Sequence, residues 1–482
     1  MSADAVSASF QADAEWLIAA LERYRTESES KAAPVTQLPA LADLVEHLEL
    51  DRYPREGGLA GPAFQSFITR YLNATTRLHH PAYLSHQVAI PHGTGSLASL
   101  IDGYTNNPMA IYEMGPPAAA IEFFVINWML GKVGWTPAPL RPDAAPPEFG
   151  GGVLTHGGSL ANLTALIAAR TRVAPRVWED GVPSDLALLA PKTAHYSITR
   201  AAGILGLGTR GIFPLSVDER GVIQPDALPA ALRALREAGR RPMALVANAC
   251  STSVGLYDPL QEIGAFCREH GIWFHVDGAH GASALLSPVL RAHLRGLETA
   301  DSLIWDAHKM LRTPPLCAAV LVRDHRSLDG AFHQEASYLF HDKAQPGVDF
   351  LARAVECTKA ALGLKFYLVL AALGEAGLRD YVEQRTAVAR QAYDFLQAQP
   401  DFCCPVQPQS NILCFAFRDW NVEHLKARDQ FIADGRFHLS TAQLNGRWHL
   451  RAVFMNPRSG LAEIHQLVAA LRALADVPPG QA

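Results

Sequence analysis

The chain has 482 residues, 49% hydrophobic and 18% charged, with 36 Gly and 32 Pro, enough for roughly two to four folded units with sizeable cores. Its 42 Lys and Arg against 47 Asp and Glu leave a formal net charge of −5, so there is no broad positive field to collect nucleic acid or anionic lipid. Seven cysteines, with no C-x-x-C and no His/Cys ladder at zinc spacing, argue against a disulfide scaffold and give no metal site.

The first residues, MSADAVSASFQADAE, carry neither a basic start nor an apolar run, so no secretory signal is expected. Phe10, Trp16, Leu17, Ala20, Leu21 and Tyr24 fall at helical spacing, which predicts an amphipathic helix over 10–27. Too little follows before Pro81 to build a core alone, so residues 1–80 are read as an N-terminal helical segment packed on something larger, such as a partner subunit. The most apolar stretch, Ala118 to Leu130, contains Glu122 and is shorter than the roughly 20 residues a membrane-spanning helix needs. A soluble, cytoplasmic protein is expected. A Pro-rich connection at 136–149 then leads to a Gly-rich turn.

From about 151 to 325, short apolar runs alternate with helical patterns: LALLA, MALVANA, IWFHVDGA, SLIWDAH and CAAVLVRD. Such alternation predicts a mainly parallel sheet covered by helices, an α/β domain placed at 81–365. Beyond it, a long helical stretch, the strand-like NILCFAF and RWHLRAVFMN and a closing amphipathic helix predict a smaller α+β domain at 366–482. The adjacent Cys403 and Cys404 read as two reduced residues near a strand.

Two Gly-rich segments compete as phosphate sites. Gly206, Gly208 and Gly211 spell G-x-G-x-x-G, and Asp226 lies 20 residues beyond Gly206. The dinucleotide fingerprint must leave a strand and open a helix; here it follows a helical stretch and precedes a strand-like run, so it reads as a helix stop and turn. In GGVLTHGGSLANLTALIAAR, by contrast, a short run ends at Gly157, Gly158 and Ser159 and a helix starts at once. Bare N–H groups and a hydroxyl then converge at a positive helix end, although a Ser-capped helix after a Gly turn would look the same.

Three further residues favour the cradle. Asp277 ends an apolar strand, where a carboxylate needs a cationic partner and where α/β sheets bind ligands. Lys309 follows 32 residues later after another apolar run, and His195 lies just past LALLA. Each alone has a plainer reading: a turn cap, a solvated cation, a core histidine. Together they supply an amine for a Schiff base, an acid for a pyridine nitrogen, a flat ring and phosphate donors, the requirements of pyridoxal 5′-phosphate.

On these residues, and on HPAYLSHQ, AHYSI, HVDGAHG, WDAHK, SYLFHDK and ECTK between about His80 and Pro457, the sequence resembles the group II pyridoxal-phosphate decarboxylases of fold type I. That group includes glutamate, cysteine sulfinate, aromatic amino acid and diaminobutyrate decarboxylases. The resemblance implies a mainly parallel seven-stranded sheet and a homodimer with active sites at the interface. It further implies Lys309 as the aldimine lysine, Asp277 as partner of the pyridine nitrogen and His195 as the stacking ring. Ala279 would face the opposite side of that ring, Thr252 would lie beside the aspartate, and Gly158, Ser159 and His308 would lie on the phosphate side. Gln87 and Arg451 would hold a substrate carboxylate, which suits the bidentate geometry of Arg.

The implied reaction is loss of carbon dioxide from an L-amino acid, through a quinonoid intermediate. A small acidic substrate is expected from SYLFHDK, FMNP and Gln87; the TNNPMAIYEMGPP segment does not copy that branch, which leaves aromatic or diamino substrates open. Two features depart from the family. The residues after SYLFHDK contain no tyrosine where a loop tyrosine normally protonates the intermediate, leaving His341 or Tyr338 as donors, or an aldehyde-forming outcome. Asp306 also stands where Asn is usual. An aminotransferase or lyase of the same fold, or a non-catalytic homologue, would carry similar motifs.

Overall fold

The computed structural model describes residues 3–141, 146, 148–332, 347–419 and 423–475. The N-terminal helix Ala3–Glu29 packs on the helix Pro62–Ala74, with Trp16 edge-on to Phe64. The segment after it is tied to the C-terminal part of the same chain: Val35 N–H donates to Gly435 O at 2.9 Å and Lys31 pairs with Glu463 at 2.9 Å. Two residues, Tyr83–Leu84, form the first strand, β1.

The large sheet comprises β2 (Gly151–Thr155), β3 (Leu186–Pro191), β4 (Ile212–Leu215), β5 (Arg241–Asn248), β6 (Trp273–Asp277), β7 (Ser302–Asp306) and β8 (Ala318–Val322). Their order is β2-β8-β7-β6-β5-β3-β4. The pairs from β7 to β4 are parallel, and β8 runs antiparallel between β7 and β2. This is the mainly parallel seven-stranded sheet expected from the sequence. Alternate side chains of a strand point to opposite faces, and both faces are buried. Ala187, Leu189, Leu245 and Ala247 enter one core with Val125, Met129 and Phe366, while Leu188, Ala244 and Val246 enter another with Ala165 and Leu166. Two covered faces explain why these strands read as continuous apolar runs.

Helix ends follow their local chemistry. The helix Leu260–His270 stops at Gly271, whose φ of 66° permits the left-handed cap that delivers the chain directly into β6. The Gly206-Leu-Gly208 segment terminates the helix Tyr196–Ile204 and feeds β4 through a short 3-10 turn, the helix-stop role expected for it.

The small sheet has order β1-β11-β12-β10-β9, with β9 Phe402–Cys403, β10 Ile412–Phe417, β11 His438–Leu444 and β12 Arg447–Val453. β11 and β12 form a hairpin around Asn445-Gly446, both with positive φ, the turn that an Asn-Gly pair favours. β1 joins this sheet parallel to β11 although it precedes the large sheet in the chain. The expected boundary at 365/366 falls inside the helix Leu362–Gln397, which bends at Gly374. All seven cysteines are free. Among the described residues, no helix is long and apolar enough to cross a membrane.

Candidate active site

The carboxyl ends of β2, β3, β5, β6 and β7 lie along one edge of the large sheet, because β8 is the antiparallel member and returns β2 to the same sense as the others. Parallel α/β sheets bind ligands at that edge. A cavity of about 360 Å³ opens there, lined by Gly158, Ser159, His195, Thr252, Asp277, Ala279, His308 and Lys309, a size suited to a small cofactor. These eight positions span 152 residues of sequence.

Asp277 is the last residue of β6 and is 7% exposed. Its Oδ1 accepts the Ala279 N–H at 3.2 Å and its Oδ2 accepts Asn162 Nδ2 at 3.0 Å. Two donors stabilise the carboxylate on the protein side, leaving lone pairs for a ligand in the cavity.

Lys309 follows β7 in a turn, its Nζ 3.2 Å from Asp306 Oδ2. Asp306 is 1% exposed, and its Oδ1 has no hydrogen-bond partner. The sequence departure at 306 is thus paired to the amine on one oxygen and orphaned on the other. Asp306 also presses on the helix start: a Cβ on Gly158 would lie 2.8 Å from Asp306 Oδ2, so only glycine leaves both in place. Gly158 and Ser159 open the helix Gly158–Val173, and the first N–H groups of a helix have no helical acceptor. His308 sits on the same turn, with Nδ1 2.8 Å from Cys317 O and Nε2 3.7 Å from Asp306.

His195 is the N-cap of the helix Tyr196–Ile204, its Nδ1 accepting the Ser197 N–H at 3.3 Å. A backbone N–H can only donate, so the imidazole carries its proton on Nε2 when neutral. Burial lowers its pKa, with Asp277 pulling the other way.

Arg451 and Gln87 are placed differently. Arg451 is 5% exposed, and its guanidinium donates to Ser253 O at 3.1 Å, Ser85 O at 3.1 Å, Ser440 Oγ at 3.0 Å and Thr252 O at 2.8 Å. It thereby clamps the loop that carries Thr252 onto the small sheet. Gln87 is half-buried, two residues before Ala89, whose N–H approaches His308 O at 3.4 Å. Neither residue lines the cavity as described. Tyr338 and His341 lie outside the described residues.

The cavity also contains residues that the sequence reading passed over. His156 holds a short hydrogen bond from its ring to Glu356; Glu356 belongs to ECTK, one of the resemblance segments. His280 donates through Nε2 to Asn411 at 2.6 Å, and burial pushes its pKa down to about 3. Asn162 sat unremarked in a helical run, where one polar residue carries no periodic signal.

An amine, a hydrogen-bonded carboxylate, a neutral ring and free helix N–H groups around one small cavity fit pyridoxal 5′-phosphate. Glycine at 158 keeps the helix start bare where a Cβ would collide with Asp306. Comparison with known proteins agrees. Residues 72–418 match the model of the pyridoxal-dependent decarboxylase conserved domain. The chain is 28% identical over 387 residues to the Mus musculus acidic amino acid decarboxylase GADL1, covering 79% of this chain and 68% of the relative. It is 34% identical over 317 residues to the Mus musculus cysteine sulfinic acid decarboxylase, covering 65% of this chain and 62% of the relative. Among solved structures, mouse CSAD superposes with a TM-score of 0.88 at 26% identity over 99% of this chain and all of that one. The structure of Oryza sativa TDC with PLP and tryptamine shares the fold with a TM-score of 0.87 at 21% identity, over 98% of this chain and 99% of that one.

Proposed function

The chain belongs to the pyridoxal-dependent decarboxylase family and decarboxylates an amino acid with pyridoxal 5′-phosphate; on that premise we propose that its substrate is a small acidic L-amino acid of the glutamate, aspartate or cysteine sulfinate kind. The observation that carries the site assignment is the convergence of Lys309, Asp277, His195 and the Gly158-Ser159 helix start on one cavity. The substrate class rests on the two relatives named for acidic substrates, at 28% and 34% identity.

In this reading, Lys309 holds the cofactor through its amine, Asp277 meets the ring nitrogen, and the N–H groups of Gly158 and Ser159 with the Ser159 hydroxyl receive the phosphate. His195 and Ala279 would take opposite faces of the ring, with Thr252 beside Asp277 and His308 on the phosphate side. The cofactor, when bound, supplies the electron sink for the breaking Cα–carboxylate bond. Asp277 keeps a negative charge where the sink needs a proton held, and neutral His195 presents a flat, uncharged surface. Gln87 and Arg451 belong to the substrate side. Arg451 has four donor contacts committed to the protein, so its part is to fix the Thr252 loop and offer at most one further N–H.

We further propose that the working unit is a homodimer in the cytoplasm. On the helix Gly93–Thr105, Leu97, Leu100, Ile101 and Tyr104 are 55%, 49%, 45% and 71% exposed, an apolar stripe at i, i+3, i+4 and i+7 spacing that a partner would cover. Phe10 of the N-terminal helix lies against Tyr104, centroids 5.2 Å apart. The seven free cysteines suit a reducing compartment.

The test is to incubate cofactor-loaded protein with acidic, aromatic and diamino L-amino acids, following carbon dioxide, amine, aldehyde and peroxide together. Carbon dioxide from the acidic set supports the proposal; release only from aromatic or diamino substrates overturns it. Aldehyde and peroxide in place of amine would tie the outcome to the absence of tyrosine after SYLFHDK.

A further inference from the structure

Behind the cavity, a chain of buried hydrogen bonds runs through the large sheet. Trp273 Nε1 lies 2.8 Å from Ser302 Oγ, Ser302 Oγ 2.8 Å from His275 Nδ1, and His275 Nε2 2.8 Å from Asn162 Oδ1. Asn162 Nδ2 then reaches both Asp277 Oδ2 at 3.0 Å and Ser197 Oγ at 2.9 Å. Ser197 Oγ lies 2.7 Å from His195 Nδ1. Asn162, Ser197, His275 and Ser302 are at most 1% exposed and Trp273 is 2% exposed.

The direction of every bond follows from its ends. An indole N–H can only donate, so Ser302 accepts from Trp273. At the other end the Asp277 carboxylate can only accept, so Asn162 turns its N–H to Asp277 and its oxygen to His275 Nε2. A neutral His275 protonated on Nε2 accepts the Ser302 proton at Nδ1. Burial pushes the His275 pKa down to about 4, so the ring is neutral and its single proton sits on Nε2, where it donates to Asn162 Oδ1. That orients the amide with both N–H groups outward, one to the Asp277 carboxylate and one to Ser197. Ser197 then donates to His195 Nδ1, the atom that already accepts a backbone N–H. No member can reverse without placing two acceptors or two donors face to face.

We propose that Asn162 is the hub of a one-way relay, Trp273–Ser302–His275–Asn162, which acts as a positioning device for the reaction: it presents a donor to Asp277 and fixes the Nε2–H form of His195 in one step. This inference rests on the reading of Asp277 as partner of the ring nitrogen. Its consequence is remote control. Ser302 lies at the start of β7 and Trp273 at the start of β6, at the opposite ends of those strands from the cavity. Loss of the Ser302 hydroxyl frees His275 to carry its proton on Nδ1. In that form Asn162 keeps its N–H on Asp277 only by facing its oxygen to an unprotonated Nε2, so the donor that it presents to the carboxylate is held less firmly.

The test uses the apoprotein with two ligands, pyridoxal 5′-phosphate and its 1-deaza analogue, in which carbon replaces the ring nitrogen. Dissociation constants are measured for the wild type, Ser302→Ala and Trp273→Phe, with far-UV circular dichroism as the control for folding. Losing a hydrogen bond to an ionised group predicts about ten- to a hundred-fold weaker binding of pyridoxal phosphate in Ser302→Ala, a change in the same direction in Trp273→Phe, and no change for the deaza analogue in either. A purely structural role would weaken both ligands alike, and that result in folded Ser302→Ala would overturn the relay, as would unchanged binding of both. Should Ser302→Ala fail to fold, Trp273→Phe is judged by the same ratio between the two ligands. A wild type that binds both ligands equally would overturn the assignment of Asp277 itself, and the relay with it.

Discussion

β2 is an edge strand, and the outward N–H and C=O of Leu154 are satisfied by an ion pair instead of another strand. Glu122 Oε1 accepts the N–H at 2.9 Å, and Lys359 Nζ donates to the C=O at 2.6 Å. Lys359 and Glu122 also bond each other, with side chains 1% and 0% exposed. The pair joins the helix Pro116–Val133, β2 and the segment that carries Glu356, so it holds the strand leading into the Gly157-Gly158 turn. Removing the cation leaves a buried, uncompensated carboxylate, which costs about 3–5 kcal/mol. Lys359→Met is therefore expected to lower the unfolding free energy by that amount. Adding Glu122→Gln should restore most of it, because the amide still accepts the Leu154 N–H and no charge remains buried; the residual loss is about 1 kcal/mol for the unmet carbonyl. Urea unfolding of the cofactor-free protein, followed by far-UV circular dichroism, reads both values. A loss under about 1 kcal/mol for Lys359→Met, or no recovery in the double variant, would refute this reasoning.

Three further outcomes follow from the same geometry. Asp277→Asn should keep the fold but lose about a hundredfold or more in the decarboxylation rate, the scale of removing one preorganised electrostatic group; near-normal turnover would count against its assignment. Stability should fall on acidification, because His275 and His280 have pKa values lowered by burial to about 4 and about 3 against roughly 6.5 in the unfolded chain. Their contribution is complete above that unfolded value and is lost as the pH drops toward the folded ones, by roughly 2 kcal/mol between pH 6 and pH 5 for the two together; a urea midpoint that is flat or rising over that interval would contradict it. Leu100→Glu places a charge in the exposed stripe of the helix Gly93–Thr105 and should shift the protein toward monomer in sedimentation velocity, whereas a wild type that is already monomeric and fully active would remove the dimer proposal.

Much of the fold was legible because parallel strands buried on both faces leave unbroken apolar runs, and because the residues that end those runs, Asp277 and the turn to Lys309, lie at the edge where ligands bind. Periodicity likewise exposed the false dinucleotide motif, since Gly206 follows a helix and not a strand. What stayed hidden depends on long-range contact. β1 is two residues that pair with a strand some 350 residues away, too short to carry alternation. Asn162 looks like any polar residue of a helix until His275 and Asp277 are brought to it by β6. Lys359 and Glu122 are separated by 237 residues, and no local pattern announces that each neutralises the other. Arg451 was read as a substrate-side cation from its family position; its four contacts with Ser253, Ser85, Ser440 and Thr252 come from two sheets meeting, which no spacing reveals.

The most direct test of the central claim is to load the purified protein with pyridoxal 5′-phosphate, reduce it with borohydride, and map the modified peptide by mass spectrometry. The account predicts one stoichiometric cofactor adduct on Lys309 and none in Lys309→Ala. A reducible adduct on a different lysine, or a protein that takes up no cofactor, would contradict it.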